Sequence, residues 1–481
     1  MIDTEALRKK IIDLAIQGKL TEQLPEDGNA ETLYVKIQEE KARLIKEGKI
    51  KKEKPLPVID KDEIPFNIPD NWKWVRWGEL SEKIQYGYNA PAKTAGRIKM
   101  VRISDIQDGK VQWDTVPYCD IDESEINDYL LRENDILFAR TGGTVGKSYI
   151  VSYVPEEAVF AGYLIRTSYS SAICASYMKY FMESGLYWKQ LRDGTIATAQ
   201  PNCNGKTLSK MIVPFPPYAE QKRISEIIEA TFSQIDIIDT LQQKYESDLS
   251  VLKGKIIDAG IRGKLTEQLP EDGDAETLYS QIQEEKATLI KEGKIKKEKP
   301  LPEISADEIP FEIPKNWKWV RWGELSEKIQ YGYNAPAKQT GRIKMVRISD
   351  IQDGKVQWDT VPYCNIEDKD IPDYLLCKDD ILFARTGGTV GKSYIVSEVP
   401  EEAIYAGYLI RTSYSSNICA SYMKYFMESY LYWKQLQSGT IATAQPNCNG
   451  KTLSKMIVPL PPYSEQNRIS KKIDELLDII S

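Results

Sequence analysis

The run EQKRISEIIEATFSQIDIIDTLQQKYESDLSVLKGKIIDAGI, from Glu220 to Ile261, has the clearest periodicity in the chain. Ile224, Thr231, Ile238, Tyr245, Leu252 and Ala259 occupy one seam position, and Ile228, Ile235, Gln242, Leu249 and Ile256 the other. Spacings of four and three alternate over about five heptads, the pattern that keeps one apolar stripe turned toward a partner helix. At ~1.5 Å per residue the predicted helix is on the order of 60 Å long. Gln242, polar at a seam position, is expected to fix register and antiparallel alignment.

The partner comes in two pieces, Tyr463 to Ser481 and Ile2 to Gln17, which together repeat the same pattern. This follows from a duplication displaced by a constant 245 residues without insertions or deletions. GKLTEQLPEDG begins at Gly18 and Gly263, NWKWVRWGELSEKIQYGYNAPAK at Asn71 and Asn316, and LFARTGGTVGKSYIVS at Leu137 and Leu382. The match wraps around the ends: Ile2 to Leu20 aligns with Ser247 to Leu265, and Tyr463 to Ser481 with Tyr218 to Asp236. Two complete units would need 490 residues against the 481 present, and the nine missing positions are equivalent to Ile237 to Tyr245. That is the pattern of a ring opened inside one helix, with the two chain ends expected side by side.

Outward from the central helix, Ala30 to Glu47 reads as a second helical stretch. The Lys-rich and Pro-rich piece from Lys46 to Pro57, copied from Lys291 to Pro302, reads as a semi-extended linker because its prolines stop helix growth. Its lysines are most simply a solvated face, with phosphate contact as the alternative. From Trp72 to about Pro217 short runs such as IKMVRISDI, DILFARTG and KSYIVS, broken by Gly, Asn and Asp, signal strands and turns, with one or two helices, notably Ala172 to Gln190. VPFPPY, from Val213 to Tyr218, delivers the chain into the central helix.

The expected fold class is α+β: two mostly-β domains separated by long antiparallel coiled-coil helices, in a pseudo-two-fold cyclic tandem repeat. The expected divisions are 1–60, N-terminal helical part and linker; 61–217, first β-rich domain; 218–305, central helical region and linker; 306–462, second β-rich domain; and 463–481, a C-terminal helix pairing with the N-terminal one.

Composition excludes several chemistries. No histidine is present, which removes the commonest general base and metal ligand and with them His-based triads and metal sites. The seven cysteines include no CxxC pair, so they read as reduced, mostly packed thiols. No apolar run is long enough to span a bilayer, and Met1 to Lys10 is charged from the outset without the apolar core of a secretory signal, which places the expected location in the cytoplasm. The net charge of −7 is a weak discriminator, because cations can still be concentrated on one face.

Two motifs look catalytic. TGGTVGKS, from Thr141 to Ser148, approaches a phosphate-binding loop, but Thr stands at its first glycine and the following KSYIVS reads as a strand rather than a helix. It is better read as a Gly-rich loop presenting Arg140, Thr141, Thr144 and Lys147, or as a structural hairpin turn. FPPY at Phe215 and LPPY at Leu460 resemble the adenine-holding tetrapeptide of amino-methyltransferases, but Phe and Leu cannot accept a hydrogen bond from the exocyclic amine. A hinge is the better reading. The carboxylates show no spacing that isolates a catalytic pair, and a Ser/Lys nucleophile has no positive support.

The unit GEL…IQYGYNAPAK, MVRISDIQDGKV, DILFARTGGTVGKS and GTIATAQPNCNGKTL, closing with IVPFPPYAEQKRI and a long helix, resembles the specificity subunit of type I restriction-modification systems over essentially the whole chain. The resemblance implies two target-recognition domains that bind double-stranded DNA and a non-catalytic chain that seats two modification subunits. Those methylate adenine with S-adenosylmethionine. It also implies restriction subunits with ATP-driven motor and nuclease activity joining through that assembly. No cofactor is expected on this chain; S-adenosylmethionine, ATP and Mg belong to the partners.

Each β-rich domain would then read bases in the major groove, the helices spacing the two contacts by about one turn of DNA, ~34–36 Å. Near-identical copies imply the same short sequence on opposite strands, an interrupted palindrome. The candidate DNA-binding residues are Tyr86, Tyr88, Asn89, Lys93 and Arg97 in one loop, Arg140, Thr141, Thr144 and Lys147 in a second, and Gln200, Asn202, Asn204 and Lys206 in a third. Their equivalents are Tyr331, Tyr333, Asn334, Lys338, Arg342, Arg385, Thr386, Thr389, Lys392, Gln445, Asn447, Asn449 and Lys451. Asn and Gln suit adenine; Arg and Lys suit guanine or phosphate; for each residue, loop solvation or packing is the alternative. The copies differ most between Asp120 and Asn134, expected to be a surface loop. Acidic and apolar helical surface, including Glu26 to Glu40, is expected to be left for modification subunits. Competing functions are a stand-alone DNA-binding regulator and a nucleotide hydrolase using Lys147 and Lys392.

Overall fold

The computed structural model describes residues 1–480 apart from 108, 142–143, 195–202, 353, 386–389 and 440–448. The chain divides into two compact units, Met1–Gln243 and Lys244–Ser481. The expected helix is present as one unbroken 44-residue element, Tyr218–Ile261, which passes from the first unit into the second. Among the described residues no helix is long and apolar enough to cross a membrane.

In the first unit the helix Thr4–Ile16, capped by the Asp3 carboxylate on the Ala6 N–H, buries Ile11, Ile12, Ala15 and Ile16. It runs antiparallel to the first half of the central helix: Thr4 Oγ1 donates to Asp239 (2.6 Å) and Arg8 Nη2 to Asp236 (2.7 Å). Gln242 grips both backbone groups of Ile2, accepting from its N–H at 2.6 Å and donating to its carbonyl at 3.2 Å. These two bonds hold Ile2 opposite Gln242 and are made in this antiparallel register.

The loop that follows is tied down by a buried carboxylate. Glu220, fully buried at the start of the central helix, accepts from Thr21 Oγ1 (2.9 Å), Gln23 Nε2 (3.0 Å) and Trp72 Nε1 (2.8 Å). One turn on, Arg223 forks onto Asp27 at 2.6 and 2.9 Å, and its guanidinium holds the Asp27 carboxyl below the usual carboxylate range. The helix Ala30–Lys46, capped by Asn29, then sends Lys41 Nζ onto the carbonyls of Gly78 and Ser81, each at 2.7 Å, closing the end of the short helix Trp77–Leu80. The linker is strapped down by Arg76, which donates to the carbonyls of Pro57, Val58 and Lys210 and pairs with Glu63 at 2.6 Å.

The β-rich part is closed at its base by an antiparallel ladder of Lys73–Arg76 with Ile212–Phe215, register Lys73 to Phe215. A four-stranded antiparallel sheet runs in the order Ser81–Tyr86, Leu164–Tyr169, Ile136–Ala139, Ser148–Ile150. A three-stranded sheet places Ile98–Val101 between Tyr118–Cys119, antiparallel, and Ala158–Phe160, parallel. Strand Ile136–Ala139 is buried on both faces, which is why DILFA reads as a continuous apolar run. Ile136 and Phe138 join the larger core with Trp77, Tyr177, Phe181 and Tyr187, whereas Leu137 faces a second core with Val101, Tyr149 and Phe160. The helix expected over Ala172 to Gln190 is two helices, Ala175–Phe181 and Gly185–Gly194. Ser184 breaks it: its Oγ donates to the Phe181 carbonyl and accepts from the Tyr187 N–H, so the side chain starts a new helix.

The second unit repeats the loop, linker and module contacts, with the second half of the central helix in the place of Thr4–Ile16 and the helix Tyr463–Ile479 in the place of the first half. Glu465 accepts from Thr266, Gln268 and Trp317, and Arg468 pairs with Asp272 at 2.6 Å. Asp258 accepts from the Tyr430 N–H as Asp13 does from Gly185.

This exchange of roles corrects the seam. Ile224, Ile228 and Ile235 are buried as expected, but Tyr245 and Leu252 are 60% and 43% exposed, while Ile257 and Ile261 are buried beyond them. A single heptad register assumes one kind of partner throughout. Here the second half buries the face equivalent to Ile12 and Ile16, because it packs as the copy of the N-terminal helix. The middle of the helix keeps apolar side chains exposed, Ile237 and Leu241 among them.

The divergent segment also departs from expectation. It is not a plain surface loop: it forms the helix Glu123–Tyr129 in the first copy, shortened in the second to Ile371–Tyr374, which begins beside Pro372. Cys119, Cys203 and Cys364 are buried, Cys377 is exposed, and the described cysteines are free thiols.

Two outcomes are expected. Glu220→Ala strands the Trp72 N–H and two loop donors in a buried site, and should cost the first unit about 2–4 kcal/mol, read as a lowered denaturant midpoint. The second concerns Glu308, whose carboxyl is held at about 2 by the Arg321 guanidinium and the Ser305 N–H. A depressed folded pKa gives stability that is present above the unfolded value of about 4.5 and lost as pH falls toward 2. The stability gap between wild type and Glu308→Gln should therefore be constant above pH ~5 and close below it, modestly, since Glu308 is partly exposed.

Candidate nucleic-acid interface

The predicted residues fall into two groups. In the first, Tyr86 ends its strand 40% exposed, with its ring fixed at both ends. The backbone is paired to Ile165, and the hydroxyl accepts from the Gly205 N–H at 3.0 Å. Arg140 lies against that ring, its guanidinium carbon 4.7 Å from the centroid. The Arg140 backbone is anchored by Tyr163 (N–H to carbonyl, 3.2 Å) and by Cys203, whose N–H donates to its carbonyl at 3.0 Å. The second copy repeats this, with Arg385 at 4.6 Å from the Tyr331 ring and the Gly450 N–H donating to the Tyr331 hydroxyl at 3.0 Å. Three sequence-distant loops, around 86, 140 and 204, thus meet at one edge of each β module.

Neighbours complete the cluster. Asn204 and Asn449 serve as N-caps, their side-chain oxygens accepting from Thr207 and Thr452 at 3.0 Å. Lys206 and Lys451 are exposed on the first turn behind them. A cleft of 770 Å3 runs between Tyr86, Asn204, Lys206 and the linker residues Lys54 to Pro57. A second, of 480 Å3, is lined by Tyr88, Asn89, Thr141, Arg102 and Tyr163. Lys147 and Lys392 are exposed at the far side of the Gly-rich loop, where their carbonyls accept from Ala139 and Ala384 at 3.0 Å. That loop joins two antiparallel strands, Ile136–Ala139 and Ser148–Ile150, so it is a hairpin and opens no helix that could receive a phosphate. Thr144 is half-buried within it. Gln200, Asn202, Thr386, Thr389, Gln445 and Asn447 lie outside the described residues.

The second group is engaged in other contacts. Lys93 bridges by its backbone to Tyr118 and pairs with Asp120, and Arg97 pairs with Glu123 at 2.8 Å. Arg342 pairs with Asp368 at 2.7 Å, while Lys338 has Asn365 where the first copy has Asp120. Tyr88 and Tyr333 are half-buried and stack edge-on against Tyr129 and Tyr374 at 5.2 and 5.3 Å. Packing accounts for these two tyrosines.

Sequence reading missed Tyr163 and Tyr408, each 66% exposed beside the arginine. Their signal was available as a Gly-Tyr pair repeated between strands, but nothing local tied it to the other loops. Arg166, by contrast, is buried against Asp135 at 3.3 Å; burial pushes its guanidinium down and the Asp135 carboxyl up. Among the described residues no cluster of three or more Asp, Glu, Cys or His could hold a metal.

Fold and site together define a tandem protein with one aromatic and cationic cluster per copy. The family model for the type I restriction modification DNA specificity domain matches residues 69–247 and 314–481, and the chain belongs to that family. The specificity subunit of the type I restriction enzyme EcoAI from Escherichia coli is 27% identical over 98% of this chain and 88% of its own length. The MjaVIII specificity subunit from Methanocaldococcus jannaschii is 23% identical over 86% and 88%. Among solved structures, a chain from work on complex assembly and conformational transition of the type I R-M system aligns with a TM-score of 0.61 at 17% identity, covering 86% of this chain and 92% of that one. The HsdS subunit from Thermoanaerobacter tengcongensis aligns at 0.50 and 17%, covering 87% and 92%. At these identities the structural likeness establishes the fold alone.

Gly87 separates the Tyr86 platform from Tyr88, and a Cβ there would sit 2.2 Å from the Ala161 carbonyl oxygen, a backbone atom that cannot swing away. Gly87→Ala should lower stability by about 1–3 kcal/mol and weaken nucleic-acid binding through displacement of Tyr86. Unchanged binding together with an unchanged unfolding midpoint would contradict this placement.

Proposed function

We propose that this chain is the DNA-recognition subunit of a type I restriction-modification complex. The observation that carries the reading is the doubled specificity domain, each copy gathering Tyr86, Arg140, Lys206 or their equivalents at one edge. Each module reads a half-site in the major groove, with exposed lysines neutralising phosphate and planar groups reading base edges. Because the clusters are the same in both copies, the half-sites are the same sequence on opposite strands and the target is an interrupted palindrome.

The chain performs no covalent step. S-adenosylmethionine, ATP and Mg are used by the modification and restriction subunits it seats, and the assembly works in the cytoplasm, where the DNA is. Exposed apolar side chains on the central helix and the acidic stretch from Glu26 to Glu40 supply surface for those partners. The cations of the cluster, with Lys93 and Arg97, are the DNA-contacting set; the exposed pairs Lys93–Asp120 and Arg97–Glu123 are weak enough to exchange for phosphate.

Co-expression with its adenine methyltransferase, followed by mapping of methylated adenines, tests the reading. Methylation at a bipartite symmetric target, absent without this chain, is expected. Unrelated half-sites would overturn the palindrome, and a methylation pattern indifferent to the chain would overturn the function.

A further inference from the structure

Most arginines near the modules are already neutralised: Arg76 by Glu63, Arg97 by Glu123, Arg102 by Asp105 and Arg166 by Asp135. Arg140 and Arg385 are not. Among the described residues neither has an ion-pair partner, and the Nε of each is enclosed without a hydrogen bond. Among the described residues the Arg385 side chain donates only to the Gly407 carbonyl, at 3.5 Å. What each has is a tyrosine face beneath it and a backbone N–H held by a tyrosine carbonyl, Tyr163 for Arg140 and Tyr408 for Arg385, with the Arg140 carbonyl also accepting from Cys203.

We propose that Arg140 and Arg385 each read one guanine, so that each half-site contains an obligatory G·C pair contacted by a guanidinium seated over the ring of Tyr86 or Tyr331. This rests on the DNA-recognition reading above and adds the base. A guanidinium confined by a ring beneath it and an enclosed Nε can present its two terminal nitrogens as paired N–H donors, and guanine O6 and N7 are the matching pair of acceptors on the major-groove edge. A phosphate also offers two acceptors, but it does not require a fixed plane. The flexible exposed lysines at 147 and 206 suit that role, leaving the stacked arginine for a base edge. The tyrosine hydroxyl completes the device: bonded to Gly205 or Gly450, it stops the ring from turning away under the cation.

The experiment uses the complex of this chain with its methyltransferase and the duplex target defined by methylation mapping. Each G·C pair of the half-sites is replaced in turn. Wild type should discriminate by roughly 5- to 150-fold at one G·C pair per half-site. Arg140→Ala and the milder Arg140→Lys should both erase discrimination at that pair in one half-site alone. Arg385→Ala should do so at the symmetric position. Tyr86→Leu, which removes the platform and keeps the charge, should reproduce the effect in part.

Uniform weakening on every duplex, with the salt dependence reduced by about one phosphate contact, would assign Arg140 to the backbone and overturn the proposal. So would half-sites without a G·C pair, or variants that discriminate as wild type does. Failure of the wild-type complex to prefer any target would strike at the DNA-recognition reading instead.

Discussion

The structure depends first on one buried carboxylate per unit. Glu220 and Glu465 stand at the start of a helix, out of water, and accept three donors from parts of the chain that otherwise share nothing: two from a loop and one from the tryptophan that opens the β module. A polar group buried in that position is tolerable only when its hydrogen-bond demand is met. The requirement therefore fixes helix, loop and module together, and the arginine fork one turn on repeats the tie.

From that junction the rest follows outward. The closing ladder begins at Lys73, beside Trp72, and delivers the chain back to the helix after Phe215, so the module hangs from its base and its loops gather at an edge. Arg76 and Lys41 then bind the linker and second helix to the same base. Three loops that are far apart in sequence can carry one cluster because the scaffold under them is rigid.

Charge is handled in the same manner. Although the chain is net −7, several arginines of each module are held in ion pairs, Arg97, Arg102 and Arg166 among them. Among the described residues, Lys147, Lys206 and the tyrosine-backed Arg140 are left without one. Local arrangement, rather than total charge, decides what the cluster can recognise.

Much of this was legible in the residues themselves. The displacement of 245 established two equal units, the heptads announced the long helix, Gln242 marked its register, and KSYIVS excluded a phosphate loop by reading as strand. These are local or periodic properties, which sequence carries directly. Tertiary structure decided what depends on neighbours distant in the chain. It moved the buried face of the central helix from Leu252 to Ile257, because each half packs against a different partner, and it turned Asn204 into a helix cap. It neutralised Arg97 and left Arg140 stacked on Tyr86. No spacing rule distinguishes those two arginines; the difference lies in which side chain the fold brings beside each.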